Sequence, residues 1–195
     1  DHHFDCMNID HLHRKNEVEV LNLDVLRQAI RSVNNEATDR PQGMTDAEVE
    51  QAIDAIRASD LNVDGHILNQ RILTTIISGC RMQVLQSNGH KELRTVHYID
   101  WKEGNADNNQ FDVINQLWIQ GQVYRLRPDV IVYINGIPLV TIELKDSNIP
   151  VREAYDNNLT RYKAAIPQIM AYNAFLVASN ATKTRLGSTF ADWTY

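Results

Sequence analysis

Asp129, Glu143 and Lys145 are the residue types a hydrolytic metal site uses: two carboxylates and one ammonium. Pro128-Asp129 opens one apolar run, Val130 to Ile134, and Glu143-Leu144-Lys145 closes the next, Ile137 to Ile142. Asn135-Gly136 supplies the turn between these two strands. Because strand side chains alternate, Glu143 and Lys145 share a face while Leu144 points the other way. Hard oxygen ligands such as Asp129 and Glu143 suit Mg²⁺, which keeps several waters for a substrate phosphate. A metal held there lowers the pKa of a bound water. Lys145 would orient that water or offset charge developing on the phosphate, and the Leu144 backbone carbonyl is a further candidate ligand. The competing reading is solvated charge at a strand end, which wins for an arbitrary Glu-x-Lys. The long apolar strand and the preceding Pro-Asp weaken it, although spacing by itself leaves both readings open.

A shared metal has a consequence for register. With a plain two-residue loop at Asn135-Gly136, Asp129 would face Ile142, and Glu143 would lie on the wrong side of the sheet. The expectation is therefore one extra residue. It sits either in a three-residue loop, Ile134-Asn135-Gly136 with Gly136 left-handed, or in a bulge elsewhere in the arm.

The elements that must position these residues read as a mixed α/β core with an N-terminal helical elaboration. Val18, Leu21, Val25, Leu26, Ala29 and Val33 recur at helical spacing. Thr45 with Glu48 forms a capping box for a second helix whose buried stripe is Val49, Ala52, Ile53 and Ile56. Ile67 to Ile77 is a third helical stretch. After Asn88-Gly89 the chain turns to Val, Ile, Tyr and Trp, predicting strands over 95–100, 111–119, 123–134 and 139–144. Pro150 suits the first turn of a helix reaching about Ala165, and Phe175 to Ala178 is a short buried strand.

The bulk numbers bound the class. The 195 residues, 43 % of them apolar, suit one domain with a real core, and a net charge of −6 argues against a chain built mainly to coat DNA. No apolar run reaches membrane-spanning length and no secretory leader is visible. Cys6 and Cys80 are far apart, as expected of free thiols in a reducing cytoplasm. The expected organisation is a tail over 1–17 and one domain over 18–195.

The segment Arg127-Pro128-Asp129, Asn135 to Val140 and Ile142 to Lys145 resembles the PD-(D/E)xK nucleases, and more narrowly the N-terminal domain of type I restriction subunits. Asn109 to Gln116 and Tyr172 to Asn180 are similar to the flanking strands of that family. The resemblance implies a restriction-endonuclease-like fold, a central sheet flanked by helices, that hydrolyses double-stranded DNA with Mg²⁺. It implies Asp129 and Glu143 as metal ligands and Lys145 as the catalytic ammonium. A Gln-x-x-x-Tyr element of the family is matched by Asn158 and Tyr162, with Asn for Gln, supporting the site at i, i+4 on one helix face. The expected partners are DNA, modification and specificity subunits, and helicase-like motor domains following Tyr195. ATP is expected only with those motor domains, since no GxxxxGK[ST] loop is present.

Arg125, Arg127, Arg152, Arg161, Lys163, Lys183 and Arg185 cluster around the site in sequence and could line a phosphate-facing rim. Arg127 and Arg161 are the candidate DNA contacts. His2, His3, Cys6, His11 and His13 fit no structural zinc spacing. His97 reads as a packed strand residue, and Trp101, Trp118 and Trp193 as core or interface aromatics. Two rivals stand beside the nuclease. One is a catalytically silent DNA-binding or docking module of the same fold. The other is a glycosidase using the two acids, which gives Lys145 no role.

Overall fold

The computed structural model describes residues 5–7, 12, 14–58 and 63–193. In chain order the elements are β1 (Asp5–Met7), α1 (Leu23–Val33), α2 (Asp46–Ile56), α3 (Gly65–Ser78), β2 (Cys80–Leu85), β3 (Lys91–Val96), β4 (Phe111–Asn115), β5 (Ile119–Gln120), β6 (Arg125–Leu126), β7 (Val130–Ile134) and β8 (Ile137–Leu144). There follow α4 (Val151–Glu153), a π-helical turn (Ala154–Leu159), α5 (Thr160–Ala165), α6 (Pro167–Met170), β9 (Phe175–Ser179) and β10 (Thr184–Ser188). The main sheet runs β1-β4-β7-β8-β9-β10, and its strands are of mixed direction. β4, β7 and β8 are antiparallel neighbours, while β8 and β9 are parallel and joined through the helices between them.

The capping box starts α2 as expected: Thr45 and Glu48 satisfy each other's backbone amides. α3 starts at Asp64, whose carboxylate accepts from the His66 and Ile67 amides. α1 begins only at Leu23. Val18 is exposed, and Val20 and Leu21 are buried in an extended lead-in rather than a helix. Leu26, Ile30, Ile53, Ile56, Ile72 and Ile76 fill the core between these helices and the sheet.

Packing divides the sheet into two unlike faces. One carries the buried Ile114, Ile131, Tyr133, Leu176 and Ala178, over which the Val20 lead-in and the 151–165 helix lie. On the other face Val113, Val132, Val140, Ile142 and Val177 are half-buried.

Strand assignment from composition went astray in three places, each for a physical reason. The 123–134 run is two strands, because Pro128 has no amide to give the ladder. The 111–119 run breaks at Gln116, which is left-handed at φ 53°. The hairpin β2–β3 ends at Val96, so the expected strand over 95–100 is mostly loop and His97 lies just beyond it. Residues Lys91 to Thr95 are exposed, and with Leu93 as their one apolar member they lack an alternating apolar signal. The exposed edge strand β10 was silent for the same reason. Trp101 is 53 % exposed, so of the two expected places, core or interface, the core does not hold it. Among the described residues no helix is long and apolar enough to cross a membrane. His2, His3, His11 and His13 lie outside the described residues.

Candidate active site

The turn between β7 and β8 has two residues, Asn135 (φ 52°) and Gly136 (φ 79°), both left-handed as in a type I′ hairpin. The three-residue loop is therefore not used. The extra residue lies in the arm instead: Tyr133 pairs with Pro138 but Val132 with Val140, leaving Leu139 unpaired. Beyond the bulge Val130 faces Ile142, so continuing one step places Asp129 across from Glu143 on the same face.

The turn is itself clamped. The Asn135 side-chain Nδ2 donates to Tyr98 O and Asn109 Oδ1, its Oδ1 accepts from the Gln110 backbone N–H, and Gly136 O accepts from Asn22 N at 2.9 Å. The N-terminal helical layer thereby holds the hairpin that carries both acids.

At the open end of that hairpin, Asp129 Oδ2 accepts the Leu144 backbone N–H at 2.8 Å. The Glu143 side chain is almost wholly buried, and its two oxygens are divided between two donors. Lys145 Nζ lies 3.1 Å from Oε1 and the Tyr162 hydroxyl 2.8 Å from Oε2. Burial pushes the Glu143 carboxyl above the ordinary range; the bonds from Tyr162 and Lys145 pull it down, and the neighbouring Asp129 charge pushes it up again. Leu144, between the two, points away and is exposed.

Tyr162 comes from the helix over this face. Its hydroxyl is also 3.5 Å from Arg127 O, and Asn158, four residues earlier on the same helix, favours its ionised form against the larger effect of burial. Burial raises the Tyr162 hydroxyl well above its usual range, so it serves as a donor. The helix is not regular α: residues 154–159 form a π turn, with Thr160 N and Oγ1 both bonded to Tyr155 O. Asp156, Asn157 and Asn158 are weak helix formers, and such turns recur at functional sites.

Sequence reasoning thus named Asp129, Glu143, Lys145, Asn158 and Tyr162, and the fold brings all five together. The basic rim is more uneven. Arg125 makes a two-pronged pair with Glu17, and Arg152 pairs with Asp156. Lys163 is half-buried against the Tyr155 ring, which leaves it poorly placed for phosphate. Arg127 and Arg161 are exposed and have no carboxylate partner among the described residues. Trp118, expected as a core or interface aromatic, has a role that sequence did not show: its ring carries Arg125 at 4.0 Å and Arg127 at 5.0 Å.

Two acids on one face, mutually repulsive and half-desolvated, suit a divalent cation, which would relieve that repulsion. Asp129 and Glu143 could hold it, with water completing the shell. Among the described residues no third His, Cys, Asp or Glu joins them.

Residues 4–195 match the family model described as type I restriction enzyme R protein N terminus. The chain is 32 % identical over 180 residues to the type I restriction enzyme HindI endonuclease subunit of Haemophilus influenzae, covering 89 % of this chain and 16 % of that protein. It is 38 % identical over 78 residues to the SauCOLORF180P endonuclease subunit of Staphylococcus aureus, 40 % of this chain and 8 % of that one. It is 34 % identical over 97 residues to the EcoprrI endonuclease subunit of Escherichia coli, 48 % of this chain and 30 % of that one. The chain therefore spans a small part of these relatives. With a match running nearly end to end, it belongs to the family of type I restriction enzyme R protein N-terminal regions.

Proposed function

We propose that this chain is a Mg²⁺-dependent nuclease domain of PD-(D/E)xK type that hydrolyses phosphodiester bonds of double-stranded DNA within a type I restriction enzyme. The observation that carries this reading is the common face shared by Asp129 and Glu143, with Lys145 Nζ 3.1 Å from the latter. Asp129 and Glu143 would hold the ion, with the Leu144 carbonyl as a further ligand. When bound, Mg²⁺ supplies positive charge at the phosphate and a water of lowered pKa. Lys145 then orients the attacking water and offsets charge on the phosphate oxygens. Tyr162 favours the ionised form of Glu143 and aims it, and Asn158 supports Tyr162 from the same helix.

The relatives named as endonuclease subunits support a place for the domain within a larger enzyme; the partners proposed for it, from the resemblance to type I restriction subunits, are modification and specificity subunits and ATP-driven motor domains. The test is cleavage of plasmid DNA by the complete assembly. Asp129→Ala and Lys145→Ala each abolish cutting, while circular dichroism of the variant domain stays that of the parent. Wild-type cutting by either variant removes the assignment.

One observation favours a second reading, a silent DNA-binding module: both Glu143 oxygens are already satisfied by protein donors. Calorimetric titration with Mg²⁺ separates the two. The nuclease reading expects saturable binding that Glu143→Ala removes, and the silent module expects none.

A further inference from the structure

The β5–β6 hairpin stands out beside the site for what it exposes. Its four-residue loop, Gly121 to Tyr124, ends in two large apolar side chains, Val123 at 77 % and Tyr124 at 55 % exposure. Loop tips ordinarily carry Gly, Asn, Asp or Ser, whose solvation costs nothing.

The tip is also held firmly. Gly121 N donates to Tyr124 O at 2.8 Å, Gln120 N to Glu17 O at 2.9 Å, and Gln168 Nε2 to Gln120 O at 2.8 Å. A Cβ on Gly121 would lie 1.8 Å from Ala165 O, so the loop is pressed against the end of α5 and only glycine permits that approach. Arg161 of the same helix lies 5.4 Å from the Tyr124 ring, without a carboxylate partner among the described residues. Together Gln122, Val123, Tyr124, Arg161, Ala164 and Pro167 line an open groove.

Reach connects this tip to the chemistry. Tyr124 precedes Asp129 by five residues, and five residues span at most about 18 Å. With about 3.4 Å between phosphates along a strand, that is roughly five nucleotides from the reacting one. Arg161 is adjacent in sequence to Tyr162, which bonds Glu143. An apolar pair flanked by an arginine without a carboxylate partner among the described residues, rigid and packed on the helix that also carries Tyr162, has the composition of a minor-groove wedge.

We infer that the β5–β6 tip is a second contact with duplex DNA, in which Val123 and Tyr124 enter the minor groove beside the scissile strand while Arg161 takes a phosphate. The inference rests on the nuclease reading. It assigns the tip a sequence-independent role: seating the duplex so that one phosphate meets Asp129 and Glu143.

The test is fluorescence anisotropy of this chain with a short fluorescein-labelled duplex, in Ca²⁺ to hold off cleavage, over a range of salt. Val123→Ser with Tyr124→Ser weakens binding roughly tenfold with an unchanged salt slope, because apolar contact is lost and no charge is. Arg161→Ala lowers the slope by about one. Both changes lie at exposed positions, and thermal unfolding checks that each variant folds. If the parent binds and the double variant stays within twofold of it, the inference is wrong and the tip docks protein or nothing. That result leaves the nuclease reading standing on its own test, the cleavage defect of Asp129→Ala. If the parent binds no duplex at all, the inference also falls, and the nuclease reading is again decided by that separate measurement.

Discussion

The Tyr162 hydroxyl lies 2.8 Å from Glu143 Oε2, and this contact joins the helical layer to the strand that carries the second acid. It opposes a conflict built into the site. Burial and the Asp129 charge both disfavour ionised Glu143 and leave its carboxyl above the ordinary range, while the donors on its two oxygens favour the charged form.

Removing that donor should therefore act through Glu143 rather than through the fold alone. Tyr162→Phe leaves one buried oxygen unsatisfied, at about 1–3 kcal/mol, and lets the Glu143 carboxyl rise further. We expect cleavage by the complete assembly to fall about 10- to 100-fold at limiting Mg²⁺ and to recover partly at high Mg²⁺. A Mg²⁺ dependence identical to the parent's would show that the hydroxyl has no part in the site.

Glu48 provides a pH-dependent handle far from the site. Burial pushes its carboxyl up, but the amides of Leu85 and Thr45, the Thr45 hydroxyl and the Arg40 charge outweigh this and hold it below the ordinary value of 4.5. A depressed folded value means the stabilisation is present above 4.5 and is lost as pH falls through the folded value. Glu48→Gln should lower stability by about 1–3 kcal/mol at pH 7, since three hydrogen bonds to a charged group are weakened. The gap between variant and parent should close in acid. Urea unfolding at several pH values measures it; a gap that persists in strong acid contradicts the assignment.

Gly136 is the position where the sheet turn and the helical layer meet. It is left-handed at φ 79°, and a Cβ there would stand 2.4 Å from Asn22 O and 3.0 Å from Leu26 N. Gly136→Ala should cost about 2–4 kcal/mol, combining backbone strain with displacement of α1 from the turn. Gly89→Ala is the control, because it is equally left-handed at φ 81° but opens onto free space and pays the strain alone. Equal losses in the two variants would mean that the α1 contact contributes nothing.

Much of this protein was legible in the residues themselves. The capping box of α2, the Asn135-Gly136 turn and the two apolar arms with their polar ends depend on local rules: amide satisfaction, left-handed preference and side-chain period. Asn158 and Tyr162 came into view only through the family resemblance, and it is a contact across 19 positions that brings Tyr162 to Glu143. The demand for one extra residue between Asp129 and Glu143 was likewise visible from parity. Its location was not, because a bulge can sit anywhere along an arm at similar local cost, and Leu139 was selected by packing. Tertiary structure alone decided which basic residues stay free, since Glu17 lies 108 positions from Arg125. It also decided that Trp118 underlies two arginines and that Val123 and Tyr124 stand clamped in solvent. Those outcomes come from contacts between distant segments, and no periodicity encodes them.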